Sequence, residues 1–332
     1  MSIRKFKKLR IACSTLPWLA LVVLIGWAPA PKAETSSVSS PAVKGLNFTG
    51  FAQFQLTREN QPLGLDTSTW KEGLFGGWVT VPVGNRFGIR LALDGGIDAV
   101  SPDKGRSSLS LLNTGGDLFL RNPSKGYVQL GYRWKAAWWE GQIESQTVDS
   151  SASEHRLRYE MGLFLGDYEL EFGVEYLRFS GEGTVTDLPT GNSQSSSSSA
   201  RNGFQLLGGS NWYAANSLSL SFGVEWGRRR AEISPDDSLH AHIDRFRTWL
   251  GAYWQPPFAS LMAGATLGLS VGLGYDTKPV IESTMTLPPG SDVWQTENTL
   301  NNVYSFSYSI RLGVTVYFPG TSSLKERARQ HQ

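Results

Sequence analysis

Beyond residue 13 this chain of 332 residues has no cysteine. Disulfides, thiol nucleophiles and thiolate metal ligands are therefore removed from everything after the first apolar stretch. Histidine is nearly as scarce, with four in all, and charged residues make up only 18%. A second long apolar run is also missing. Ile11 to Trp27 is the one such stretch, and a mean hydropathy of -0.23 argues against a bundle of membrane helices. Basic excess disappears once the first 33 residues are set aside. The six basic residues before Glu34 (Arg4, Lys5, Lys7, Lys8, Arg10 and Lys32) take the 31 Lys+Arg down to 25, against 29 Asp+Glu. The remainder is net acidic, which gives no reason to expect a nucleic-acid partner.

Glycine and aromatics are what the chain has in quantity, with 36 Gly, 12 Trp, 11 Tyr and 16 Phe. That content excludes wholesale disorder, and the lack of a Gly-X-Y period excludes collagen. Met1 to Arg10 is basic and Ile11 to Trp27 is apolar apart from Ser14, Thr15 and Pro17. The small residues Ala28, Ala30 and Ala33 follow. This order is that of a secretory signal peptide over residues 1–33, with cleavage after Ala30 or Ala33. A membrane anchor is the rival reading, but 17 residues with a proline fall short of the ~20 that a helical span needs. Cys13 lies too early in the apolar stretch for a lipid-accepting cysteine. Residues 34–45 read as a Ser-rich linker.

From residue 46 to residue 318 one pattern recurs. Leu46, Phe48, Gly50, Ala52, Phe54 and Leu56 alternate with Asn47, Thr49, Phe51, Gln53, Gln55 and Thr57, which is the period of a strand with one apolar face. Similar stretches are expected at 74–83, 86–95, 117–121, 126–134, 155–165, 168–179, 203–213, 218–227, 244–254, 261–276 and 303–318. Short turns at 84, 123, 166, 215 and 256 join them in pairs. Long polar segments at 58–73, 96–114, 136–154, 180–202, 228–243 and 277–302 separate the pairs. Ser195 to Ser199 is expected at a loop tip. Aromatics cluster near strand ends, among them Tyr132, Trp134, Tyr168, Trp212, Trp226, Trp254, Tyr304 and Phe318.

Arg311, Gly313, Val316 and Phe318 match the polar-x-Gly-x-x-apolar-x-apolar pattern that ends bacterial outer-membrane barrels, and the chain from 46 to 318 resembles that class. The resemblance implies an all-β fold, a transmembrane antiparallel up-and-down β-barrel of about twelve strands, with both termini at the short-turn end. It also implies insertion by the barrel assembly machinery and contact with outer-membrane lipid and lipopolysaccharide. Residues 319–332 become a periplasmic tail. A secreted soluble sandwich with the apolar faces inward shares the alternation but gives no reason for long and short connections to alternate.

With apolar faces outward, the opposite faces line a lumen. The pore-lining candidates are Arg90, Asp94, Arg156, Arg158, Glu160, Glu169, Glu171, Glu175, Glu225 and Arg247, and the turn at Gly166-Asp167 sets Arg158 opposite Glu175. Arg245 and Arg311 share this inward face. Across the ring, Gly264, Thr266, Gly268, Ser270, Gly272, Gly274, Ser305, Ser307 and Ser309 form a wall with little bulk. These residues suit a passive, porin-like passage for small polar or ionic solutes. The alternative is that long Arg and Glu side chains fill the space, since twelve strands lie between filled and open barrels. An outer-leaflet lipid hydrolase or protease and a structural or adhesive surface protein are the other functional readings. For an enzyme, His240 and His242 lie near Asp236, Asp237 and Asp244, whereas His155 and His331 have no evident partner. A hydrated loop explains the cluster more simply, so neither a metal site nor a cofactor is assigned. Arg228, Arg229 and Arg230 with Arg245 could meet lipopolysaccharide phosphates, although a solvated basic loop explains them more simply. The oligomeric state is left open.

Overall fold

The computed structural model describes residues 46–60, 68–101, 105–143, 146–187, 189–232, 240–256, 264–286, 295–318 and 323–330. Chain contacts separate a unit at 1–37 from one at 38–332. The first unit lies outside the described residues, as do the whole of the expected signal peptide at 1–33 and the linker at 34–45. Twelve strands follow in order: β1 Asn47–Asn60, β2 Ser68–Pro82, β3 Phe87–Ser101, β4 Gly105–Asn122, β5 Gly126–Ile143, β6 Gln146–Leu165, β7 Tyr168–Asp187, β8 Ser193–Ala215, β9 Leu218–Glu232, β10 His240–Trp254, β11 Gly264–Thr286 and β12 Gln295–Phe318. A helix, α1, spans Leu324–Gln330. Among the described residues no helix is long and apolar enough to cross a membrane.

Each strand pairs antiparallel with its neighbours in sequence, and β1 pairs with β12 from Phe48↔Phe318 to Asn60↔Phe306 to close the ring. Closure removes the unpaired edge that an open sheet would present to hydrocarbon. The partition of side chains is inverted relative to a water-soluble core. Among the described residues buried large apolar side chains are few, chiefly Phe119, Tyr127, Phe164 and Leu177, while Asp117, Arg121, Glu160, Glu169 and Glu175 are also buried. Leu91, Leu93, Leu130, Leu157, Val174, Leu269, Val271, Ile310 and Leu312 are exposed on the outer face. A continuous exposed apolar surface of that extent is a lipid-facing surface. The soluble sandwich, with its apolar faces inward, is thus overturned.

Aromatic pairs mark the two edges of this belt. Tyr168 stacks on Trp212 near the short turns, with ring centroids 6.2 Å apart, and Phe204 meets Trp226 edge-on at 5.4 Å toward the other end. Trp212 and Phe204 stand eight positions apart on β8. That separation is about 27 Å along a strand at ~3.4 Å per residue, or about 21 Å along the barrel axis at a tilt near 40°. The height is close to the ~25 Å apolar band of such barrels.

The expected strand set is present, but the lengths differ from expectation at one end of the barrel. The fourth strand, expected at 117–121, runs from Gly105 to Asn122, and β5 continues through Ile143 where an end at 134 was expected. Most of the expected long connections at 96–114, 136–154 and 180–202 are strand. Only 102–104 separates β3 from β4, and only 144–145 separates β5 from β6. Ser195 to Ser199 lies within β8, paired with β7 through Ser195↔Thr184 and Ser198↔Gly181, not at a loop tip. The physical reason is that, above the lipid, water wets both sheet faces. The period-two hydrophobic signal vanishes while the backbone ladder continues. At the opposite end residues 261–263 of the expected eleventh strand lie outside the described residues, and Pro256 stands in the connection after β10, where it donates nothing to a ladder.

Candidate functional site

The inward faces of β2 to β8, together with Tyr317 and the helix residues Arg327 and Ala328, enclose a cavity of about 740 Å³. Every inward side chain comes from the pleat that also exposes the apolar belt, so the lumen's chemistry is set residue by residue along each strand. On β6 and β7, Arg158 stands opposite Glu175, as expected from the Gly166-Asp167 turn. The Arg158 guanidinium is shared. It pairs with Glu160 on its own strand and lies 3.7 Å from Glu175. Arg156 bridges in the same way between Glu154 and Glu175, the latter at 3.8 Å. Glu154 also receives Arg229 from β9 at 3.5 Å.

Two tyrosine hydroxyls hold the carboxylates nearest the short turns. Tyr127 Oη donates to Glu160 Oε1 at 2.6 Å and lies 3.2 Å from Glu171 Oε1. Tyr213 Oη donates to Glu169 Oε2 at 2.5 Å. Asn211 Nδ2 stands between, 3.5 Å from both Glu169 and Glu171. The Tyr127 ring takes its position by lying over Gly162: a Cβ there would sit 2.1 Å from the ring, so the cross-strand glycine is what allows the aromatic to lie flat.

A second group gathers on β3, β4 and β5. Arg90 lies opposite Asp117 in the ladder and its guanidinium is 5.5 Å from the Trp78 ring centroid. Arg133 Nη2 reaches Asp117 Oδ2 at 2.6 Å, and Asn113 Nδ2 donates to Asp94 Oδ2 at 3.2 Å. Arg121, 3% exposed, lies over Tyr127 at 4.3 Å and Phe164 at 5.3 Å. Low local polarizability strengthens each of these contacts and raises the cost of leaving any charge unpaired.

Of the ten sequence candidates, Arg90, Asp94, Arg156, Arg158, Glu160, Glu169, Glu171 and Glu175 line this cavity. Glu225 and Arg247 oppose each other across β9 and β10 and lie outside its lining. Sequence reasoning missed Asp117, Arg121, Tyr127, Arg133, Lys135 and Tyr213, which also line it. Alternation alone could have found Arg133, between outward Tyr132 and Trp134. The small-residue wall of β11 and β12 lies across the ring from the charged strands. Its bareness has a local cause, because Gly272 and Gly274 pack against the hydroxyls of Ser309 and Ser307.

Other expectations divide by face. Arg228, outside the lumen, makes a two-point pair with Asp244 at 2.6 and 3.0 Å, whereas Arg229 turns inward to Glu154 and Arg245 inward to Asp276 at 3.0 Å. The four arginines weighed as a phosphate-contacting group are thus split by the pleat. His242 is exposed opposite Arg230 on the outer side of β10. The side chains of Asp236, Asp237 and His240 lie outside the described residues. His155 faces outward, its Nδ1 2.6 Å from Tyr132 Oη. Among the described residues no group of three or more His, Cys, Asp or Glu side chains could hold a metal ion. On the closing strand, Arg311 donates twice to Gln55 Oε1, at 2.9 and 2.7 Å, Gly313 lies beside Gln53, and Phe318 is exposed opposite Phe48. Val316 pairs with Gly50.

The tail beyond β12 is where the structure adds most. Ser323 and Glu326 cap α1 reciprocally: Glu326 N–H donates to Ser323 Oγ at 3.3 Å and Ser323 N–H to Glu326 Oε2 at 3.1 Å. The Ser-x-x-Glu spacing is legible in the sequence as a helix start. Leu324 and Arg327 are buried, 8% and 3% exposed.

A closed antiparallel barrel with apolar residues outside and charges inside is the architecture of a bacterial outer-membrane β-barrel protein, and the solved structures similar to this chain have that fold. The translocator domain of the autotransporter NalP from Neisseria meningitidis matches with a TM-score of 0.55 at 13% identity, over 82% of this chain and 88% of that one. An outer-membrane channel from Pseudomonas putida F1 matches with a TM-score of 0.48 at 14% identity, over 85% and 100%. The β-domain of a Bordetella autotransporter gives 0.47 at 10% identity, over 80% and 98%. No family model and no curated protein matches the chain. At these identities the likeness is one of fold.

Proposed function

We propose that the protein is a passive, porin-like channel of the bacterial outer membrane for small polar or ionic solutes, with the mixed-charge strip of β3 to β7 as its selectivity element. The observation that carries this reading is the cavity of about 740 Å³ inside the barrel, walled by guanidiniums and carboxylates instead of interlocked apolar side chains. Arg156, Arg158 and Glu175 pair along the wall, and Arg229, reaching from β9 to Glu154 on β6, does so outside the cavity's lining. Mixed charge on one wall and small polar residues on the other favour hydrated solutes over apolar ones. Export by a leader over 1–33, insertion through the closing-strand residues Arg311, Gly313, Val316 and Phe318, and contact with lipopolysaccharide complete the proposal. Current across planar bilayers tests it. Reproducible steps with the purified protein are expected, and their absence at all voltages, with the tail both present and removed, would sink the channel.

A further inference from the structure

Helix α1 does not hang free of the barrel. Four of its seven residues touch the short-turn end, at the β6–β7 and β8–β9 turns and the ends of β10, β11 and β12. Leu324 N–H donates to Asn216 O in the β8–β9 turn at 3.2 Å. Lys325 Nζ reaches Asp167 Oδ1 in the β6–β7 turn at 2.8 Å, and Arg329 Nη2 donates to Gly166 O at 2.6 Å. Arg327 Nη2 donates to Gln255 Oε1 just past β10 at 2.8 Å and lies 3.4 Å from Thr266 Oγ1 on β11, while its guanidinium covers the Tyr317 ring of β12 at 4.0 Å. Strand spacing and tilt put a twelve-stranded ring at about 24 Å across its backbone. A helix with side chains is about 10–12 Å thick. With Tyr127, Tyr213 and Tyr317 also lining the cavity, a helix lying across the mouth leaves little open width.

The way Arg327 is held matters as much as where it sits. A buried guanidinium is ordinarily met by a carboxylate. Here its partners are an amide oxygen, a hydroxyl and a ring face, and among the described residues its Nε and Nη1 are buried without a hydrogen-bond partner. Burial accordingly pulls this guanidinium below its ordinary pKa. Docking therefore seats a cation at a cost, offset by the rim contacts of Leu324, Lys325 and Arg329. A segment held in that balance is displaceable, unlike a fully satisfied structural element. Lys325, Arg327 and Arg329 outnumber Glu326 on the helix, and Asp167, Glu169 and Glu171 stand at or near the rim it covers, so charge opposes charge across the contact.

From these contacts we propose that α1 is a displaceable plug: docked, it closes the short-turn mouth of the lumen, and its departure opens the passage. The proposal rests on the channel reading. High ionic strength, which screens the Lys325–Asp167 pair, favours the open form.

The test compares the full exported chain with a variant lacking residues 323–332 in planar bilayers. A Lys325→Glu/Arg329→Glu variant, which retains the whole tail, is run beside them. Both variants are expected to raise mean current about tenfold, the shift produced by removing a modest docking preference. The chain's only native cysteine is Cys13, so with Cys13→Ser an Asp167→Cys/Lys325→Cys pair can be bridged by a short thiol crosslinker. Bridged protein should stay at low current, and each single cysteine variant should not. Equal currents from the full chain and the truncated chain overturn the plug while leaving the channel intact. Failure of the pair to bridge overturns the docking itself. Efficient bridging with no current from any variant defeats the channel reading and the gate with it, leaving α1 a structural closure.

Discussion

Leu269 on β11 is 48% exposed and stands near the middle of the outer ladder formed by Ala265, Leu267, Val271 and Leu273. Replacing it with Arg distinguishes lipid from water as the medium against that face. In a bilayer a guanidinium at the midplane costs about 2–4 kcal/mol, falling to about 0–1 kcal/mol near the interface. The same change at a half-exposed position in water costs within about 0.5 kcal/mol. Leu269→Arg should therefore shift the folding equilibrium in vesicles roughly 30- to 900-fold, at about 1.36 kcal/mol per tenfold. Ala265→Arg, at the belt's short-turn edge, should shift it by about fivefold or less. The assay is reversible urea unfolding in phospholipid vesicles, followed by tryptophan fluorescence. Equal, small losses at both positions would refute the outward-facing belt and everything derived from the inward face.

Glu175→Gln removes the carboxylate shared by Arg156 and Arg158, so the lumen gains one net positive charge; zero-current potentials across a salt gradient should move toward anion selectivity, and an unchanged value would detach this strip from the permeation path. Tyr127→Phe strips Glu160 of a buried donor and should lower stability by about 1–3 kcal/mol in the same vesicle titration. Gly162→Ala places a methyl against the Tyr127 ring and should cost about 1–3 kcal/mol, partly relieved in the double variant with Tyr127→Ala. The Asp167 carboxyl is held below its ordinary range first by the hydrogen bond from Lys325, with the Lys325 and Arg329 charges adding. A depressed carboxylate contributes above its unfolded pKa and loses that contribution as pH falls through the lower folded value, so anchorage of α1 should hold from neutrality to about pH 4 and loosen below it. A spin label at Gln332→Cys reads this as mobility, and loosening already near pH 6 would contradict the Asp167 contact.

Legibility in the sequence tracked the solvent on each side of the strand. Within the belt, lipid on one face and water on the other force alternation, so Phe87, Ile89, Leu91 and Leu93 betray β3 directly. On β4, Thr114 and Gly116 stand opposite the lipid-facing Leu93 and Leu91 without a large apolar side chain, and the Ser-rich start of β8 offers only small polar residues, so neither stretch carries a periodic mark although the ladder continues through both. Arg158 opposite Glu175 was readable because a two-residue turn counts out the register. The partnership of Tyr213 with Glu169, and of Arg133 with Asp117, needed the β7–β8 and β4–β5 registers, which the sequence left less sharply defined.

By itself the sequence determined the strand segments within the belt, the face that their side chains take, an even number of strands and the presence of both charge signs inside, because all four follow from a period of two and short turns. Tertiary structure alone decided which charges meet, how much lumen is left open and where the tail goes. Those depend on contacts between residues far apart in the chain, such as Arg327 with Thr266 and Tyr317, and no local pattern encodes the distance across a barrel.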